Sequence, residues 1–161
     1  MAGMAEKGRY VYEWPRPMVT ADAAVFALLD GRWRLLLVQR KYEPFRGLWA
    51  LPGGFIEMEE DLPDAAAREL AEETGLRGVS LEQLGTFGRP GRDPRGRTIT
   101  VAYFGIAQDN CDRVQAADDA ARIQWFDMDN LPKMAFDHDE IARHAIERLK
   151  QAETYRKYAP P

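Results

Sequence analysis

Apolar positions follow two rhythms along this chain. From Val19 to Leu29 and again from Arg34 to Arg40, small and branched apolar residues succeed one another with few polar breaks, and Asp30-Gly31 lies between the runs. That order predicts a β-hairpin, because Asp-Gly suits the tight turn between paired strands. The second run, RLLLVQR, is apolar without alternation, as expected of a strand covered on both faces. A short run from Leu48 to Leu51 follows a loop marked by Pro44 and Gly47 and leads into Pro52-Gly53-Gly54. Further strands are predicted at Val79 to Phe87, Thr98 to Ile106 and Ile123 to Phe126. Helical spacing occurs twice. Leu62, Ala66 and Leu70 form one stripe in a helix from Leu62 to Thr74, with a proline in its first turn and Gly75 at its end. Ile141, Ala145, Ile146 and Leu149 form the other, with Asp137 available as a cap and both His138 and His144 expected at the helix surface or edge.

Length and composition fit one globular α/β domain. The 161 residues are 45% hydrophobic and 30% charged, enough for one sizeable core. A net charge of -4 argues against a broad nucleic-acid surface but not against a phosphate-bearing small molecule. The first eight residues lack the apolar core of a signal peptide and no window reaches membrane-span length, so a cytoplasmic protein without a membrane partner is expected. The single cysteine, Cys111, permits no internal disulfide and is read as a bystander. Residues 9 to 17, RYVYEWPRP, suit an edge strand, a tail packed on its own domain, or an arm laid over a second subunit of a homodimer. The boundaries expected are an arm or edge strand at 1–17, the main domain at 18–152 and a tail at 153–161.

Candidate chemistry concentrates in GFIEMEEDLPDAAARELAEETGL, residues 54 to 76. Glu69, Glu72 and Glu73 stand at i, i+3 and i+4, so three carboxylates share one helix face and repel one another. A divalent cation would turn that repulsion into binding, and oxygen-rich sites suit Mg²⁺ or Mn²⁺. Gly53 and Gly54 let the backbone approach a ligand closely or adopt positive φ. The segment GRPGRDPRGR, residues 88 to 97, gathers four arginines in an otherwise acidic protein, and Arg89, Arg92 and Arg97 are candidate phosphate contacts. Trp49 and Phe45 are able to present an aromatic face to a base, although packing in the core or at its rim suits Trp49 equally. Asp118 and Asp119 lie in a polar loop from which a carboxylate could close over a metal site. Asp119 is the candidate there.

The same segment resembles the Nudix box at each defining position: Gly54, Glu60, Arg68, Glu69, Leu70, Glu72, Glu73, Gly75 and Leu76. The Nudix resemblance extends from Thr20 to about Leu149 and implies an α/β/α sandwich with a mixed sheet. It implies Mg²⁺-dependent hydrolysis of a nucleoside diphosphate linked to another moiety, with Glu69, Glu72, Glu73 and the Gly53 carbonyl at the metal, Glu60 at its edge and Arg68 as a structural partner of a glutamate. The late Phe136 to His138, the arginine loop and Pro90 resemble the pattern of ADP-ribose pyrophosphatases, which release AMP and ribose 5-phosphate. A nucleoside triphosphate pyrophosphatase and a non-catalytic ADP-ribose-binding regulator are the alternatives. A winged-helix segment like that of the regulators is not expected, because the chain ends after one helix.

Overall fold

The computed structural model describes residues 10–108, 114 and 120–158. A seven-stranded mixed sheet lies between helical layers. Its elements are β1 (Met18–Leu29), β2 (Arg32–Arg40), β3 (Trp49–Ala50), β4 (Gly53–Phe55), α1 (Leu62–Thr74), β5 (Leu81–Phe87), β6 (Thr98–Ile106), β7 (Ala120–Asp127), α2 (His138–Gln151) and α3 (Glu153–Tyr158). The hydrogen-bonded path runs β3-β2-β1-β6-β5, with β4 added to β1 and β7 to β2. β1 and β6 are parallel; the other named pairs are antiparallel.

The uninterrupted apolar runs follow from this layering. On β1, Ala21, Ala23, Val25 and Ala27 face the side of α1, while Ala24 and Phe26 face α2. β2 divides likewise, with Leu36 toward α1 and Leu35 and Leu37 toward α2. Side chains on a strand alternate between faces, so two covered faces require apolar residues at every position. Alanine dominates the α1 side of β1 and the facing positions Ala65 and Ala66, which lets helix and sheet approach closely.

Four details differ from the pattern read along the chain. Gly53–Phe55 forms a short strand where a turn was expected, because the amide and carbonyl groups of this segment pair with Thr20 to Asp22. The C-terminal helix breaks at Ala152, whose backbone is extended, and the new helix brings Tyr155 to within 6.1 Å of the Trp33 ring. Strand β7 begins at Ala120, earlier than the Ile123 expected. Residues 10–17 form no strand and are exposed.

Candidate active site

The helix that carries the carboxylates is fixed at both ends. Asp61 caps α1 by accepting the Leu62 amide at 2.8 Å, Pro63 stands in the first turn, and Gly75 leaves the helix in the left-handed conformation at φ 75°. Thr74 Oγ1 donates to the Leu70 carbonyl and accepts the Leu76 amide at 3.2 Å, tying the exit to the core. Arg68 then orders the acidic face. Its Nε and Nη2 bind the two Glu60 oxygens at 2.9 and 2.6 Å, while Nη1 reaches Glu69 at 2.8 Å and Glu72 at 3.1 Å. A further bond from Nη2 to the Phe55 carbonyl anchors the guanidinium to β4. The Arg68 hydrogen bonds hold Glu60 below the ordinary carboxylate range, and Glu60 in return raises the arginine.

Glu73 is treated differently. Among the described residues it accepts only the Gly53 amide, at 3.3 Å. Burial, then the nearby charges of Glu69 and Asp22, push its pKa up to about 8, against a weaker lowering by the Gly53 amide. Glu69 is also raised, chiefly by burial, although Arg68 opposes the shift. Two partly buried carboxylates thus stand together with one arginine between them.

The glycines before the helix make this crowding sterically possible. A Cβ on Gly53 would lie 2.1 Å from Asp22 Oδ1 and 2.5 Å from the Ala21 carbonyl; one on Gly54 would lie 2.5 Å from Glu69 Oε1. Close approach is the constraint here, because neither residue has positive φ. Asp22, a single acid within the apolar run of β1, is buried and accepts a short hydrogen bond from Thr100 Oγ1. A charged residue in a doubly covered strand was a signal readable in the sequence.

A cleft of about 130 Å³ opens beside these groups. Asp22, Gly53, Gly54 and Glu73 line one part of it, and Arg40, Arg92 and Arg95 another. Arg92 is among the arginines singled out in the sequence, but its side chain is only 4% exposed and binds both oxygens of Asp137 at 2.8 and 2.6 Å. Arg89 pairs with Glu140, and Arg97 donates to the Gly88 carbonyl at 2.7 Å; neither lines the cleft. Arg95, which sequence reasoning left out, is held by Asp93 and lies over the rings of Phe55 and Phe136. Burial works to raise Asp93, but the Arg95 hydrogen bonds prevail and hold it below its ordinary range. Trp49 packs edge-on against Phe126 at 4.7 Å, away from the cleft lining. Asp118, Asp119 and Cys111 lie outside the described residues.

Two expectations about α2 need correction. Asp137 occupies the cap position without a side-chain capping bond, because Arg92 takes both of its oxygens. His138 is not at the helix surface but 5% exposed, buried by the return of the chain against Leu51; His144 is exposed. Among the described residues no three acidic, histidine or cysteine side chains form a ready-made metal cage, and no helix is long and apolar enough to cross a membrane.

A mixed sheet between helical layers, holding an acidic helix face against a glycine strand, is the framework of a pyrophosphohydrolase. Residues 18–149 match the NUDIX domain family model, and the chain belongs to the Nudix hydrolase family. It is 42% identical over 120 residues to an ADP-ribose pyrophosphatase of Methanocaldococcus jannaschii, covering 74% of this chain and 70% of that one. Over 147 residues it is 35% identical to an ADPR responsive transcriptional repressor of Acinetobacter baylyi, covering 89% of this chain but only 58% of the repressor. The crystallised NUDIX domain of Shewanella oneidensis NrtR, complexed with ADP ribose, superposes with a TM-score of 0.78 at 35% identity, covering 88% of this chain and 94% of that domain.

Proposed function

We propose that this protein hydrolyses ADP-ribose to AMP and ribose 5-phosphate with the help of a divalent cation, Mg²⁺ or Mn²⁺. The observation that carries the reading is the pair of partly buried carboxylates, Glu69 beside Arg68 and Glu73 without an arginine partner among the described residues, packed against the Gly53-Gly54 backbone. Glu69 and Glu73, with Glu72 and the Gly53 carbonyl, are an all-oxygen donor set of the kind Mg²⁺ accepts, so the residues present fit the ion. Once bound, the ion would neutralise the diphosphate and lower the pKa of water. The chain's own part is to orient and to take up a proton. Water attacks one phosphorus, the bridging P–O bond breaks, and the proton of the water passes to a carboxylate, for which Glu69, Glu72, Glu73 and Asp119 are the candidates. Arg92 and Arg95 also line the cleft, each already paired with an aspartate of the fold, so either would have to share or lose that partner to meet a phosphate.

The substrate itself is supported by the likeness to an ADP-ribose pyrophosphatase and to a domain crystallised with ADP ribose. Likeness to a repressor that responds to ADPR favours a second reading, an ADP-ribose-binding regulatory module. A hydrolysis screen under Mg²⁺ with ADP-ribose, NADH, diadenosine polyphosphates and nucleoside triphosphates separates the readings. AMP and ribose 5-phosphate formed with the highest kcat/KM on ADP-ribose is the expected result. Tight ADP-ribose binding without turnover would move the protein to the regulators, and a preference for triphosphates would overturn the substrate.

A further inference from the structure

The cleft wall contains a buried histidine that nothing in the reaction above uses. His138 opens α2, and its buried ring forms part of the cleft wall with Asp22, Leu51 and Arg92. Its Nδ1 accepts the Leu51 amide at 3.0 Å. An imidazole nitrogen that accepts has no proton, so the neutral ring carries its proton on Nε2.

The surroundings keep the ring neutral. Burial depresses its pKa; Asp22 on β1 and Asp137 at the helix start pull upward, and Arg92 and Arg40 push down again. The first turn of α2 adds to this, because the positive end of a helix disfavours a cation. Among the described residues no acceptor takes the Nε2 proton; the neighbouring Phe136 ring, 5.3 Å away, is a packing contact. His138 itself lines the cleft, so a ring whose Nε2 proton has no acceptor among the described residues stands in the cleft wall.

We propose that His138 is a substrate-binding donor: its Nε2–H, fixed in one tautomer by the Leu51 amide, bonds to an oxygen of the nucleoside diphosphate held in the cleft. The identity of that ligand rests on the proposed function; the donor role does not. A neutral donor suits a position between acids and arginines, because it adds direction to the contact without changing the charge balance at Glu73 and Asp22.

The test uses the full chain labelled with ¹⁵N-histidine. The sequence has two histidines, so the ring of His138 is resolved from that of the exposed His144. ADP-ribose, ATP, AMP and ribose 5-phosphate are added in turn under EDTA, which prevents metal-dependent turnover. The expected result is an Nε2-protonated tautomer in the free protein and a displaced Nε2–H resonance on binding of ADP-ribose. AMP and ribose 5-phosphate, each alone, tell which half carries the acceptor. If ATP alone moves the signal, the substrate reading falls and the donor role stands. If no probe moves it, the inference is overturned.

Two variants separate binding from structure. His138→Asn keeps an acceptor for the Leu51 amide but places no donor at the ε position; it should keep its Tm and raise KM about five- to tenfold, the range of one neutral hydrogen bond. His138→Gln restores a donor at the ε position while losing the Leu51 partner, so it should recover most of the KM at a lower Tm. KM that simply follows Tm through both variants would make His138 a structural residue and overturn the proposal.

Discussion

The box helix and the loop at residues 88–97 both mix arginine with carboxylate, and they balance charge in opposite ways. On the helix one arginine serves three acids: Arg68 binds Glu60, Glu69 and Glu72, and Glu73 is left with a single backbone amide. In the loop the positive groups are already used, Arg92 by Asp137, Arg95 by Asp93 and Arg89 by Glu140. Arginine count alone is therefore a poor guide to a phosphate site, since a paired arginine must share or lose its partner to bind a ligand. Deficit is the better guide. A buried carboxylate that the fold leaves uncompensated marks the place where a ligand must bring positive charge.

The largest effect is expected at that deficit. Glu73→Gln removes a proposed cation ligand and a candidate base, and kcat should fall by about 10² or more, measured at saturating substrate and Mg²⁺. Stability should respond in the opposite sense. In the metal-free protein the folded pKa of Glu73, about 8, lies above its ordinary value of 4.5, so the folded state binds more protons between these limits. The contribution is fully present below pH 4.5 and is lost as pH rises through 8. Metal-free wild type should thus lose Tm across that window, and Glu73→Gln or added Mg²⁺ should flatten the decline. Near-normal turnover in the variant would break the contrast between helix and loop at its centre.

How far the sequence disclosed this contrast depends on the range of the interaction involved. Pro63, Leu70 and Gly75 announce the helix through spacing of a few residues, and the acids sit on it at fixed intervals, so element and chemistry are both local. The doubly covered strands were legible for the same reason, from the unbroken apolar runs of β1 and β2. Partners were not legible. Arg92 meets Asp137 across 45 positions, and Leu51 meets His138 across 87, so which arginine is spent and which histidine is buried depend on how α2 returns to the cleft. Gly53 and Gly54 fall between: the sequence offered close approach to a ligand or positive φ, and the structure shows neither at positive φ but both packed close on the chain's own Asp22 and Glu69.

A smaller effect is expected where the loop is locked to α2. Arg92→Ala leaves the carboxylate of Asp137 without its guanidinium, at 4% and 15% side-chain exposure for the two partners. Breaking such a pair costs about 2–3 kcal/mol, less than a fully buried case because Asp137 stands at a helix start and is free to cap it. For a chain of this size that corresponds to a fall in Tm of about 5–10 °C by calorimetry. Asp137→Ala in the same background should add little, because the two residues act as one unit. Additive losses would show that they support the cleft separately.

The smallest effect is expected at Arg89, which lies on the same loop as Arg92 but is 70% exposed in its pair with Glu140. An exposed ion pair contributes about 0–1 kcal/mol and is screened by salt, so Arg89→Ala should leave Tm within about 2–4 °C of wild type. Its side chain does not line the cleft, and KM for the preferred substrate should change less than threefold by the scale of such a contact. The experiment is informative because Arg89 has the same residue type and loop as Arg92 and differs only in burial and aim. A KM rise well beyond threefold at unchanged Tm would mean that the loop swings its outer arginine onto the substrate. Charge in the loop would then be held in reserve by Glu140 rather than spent, and the opposition between the two regions would become a difference between the free and the liganded protein.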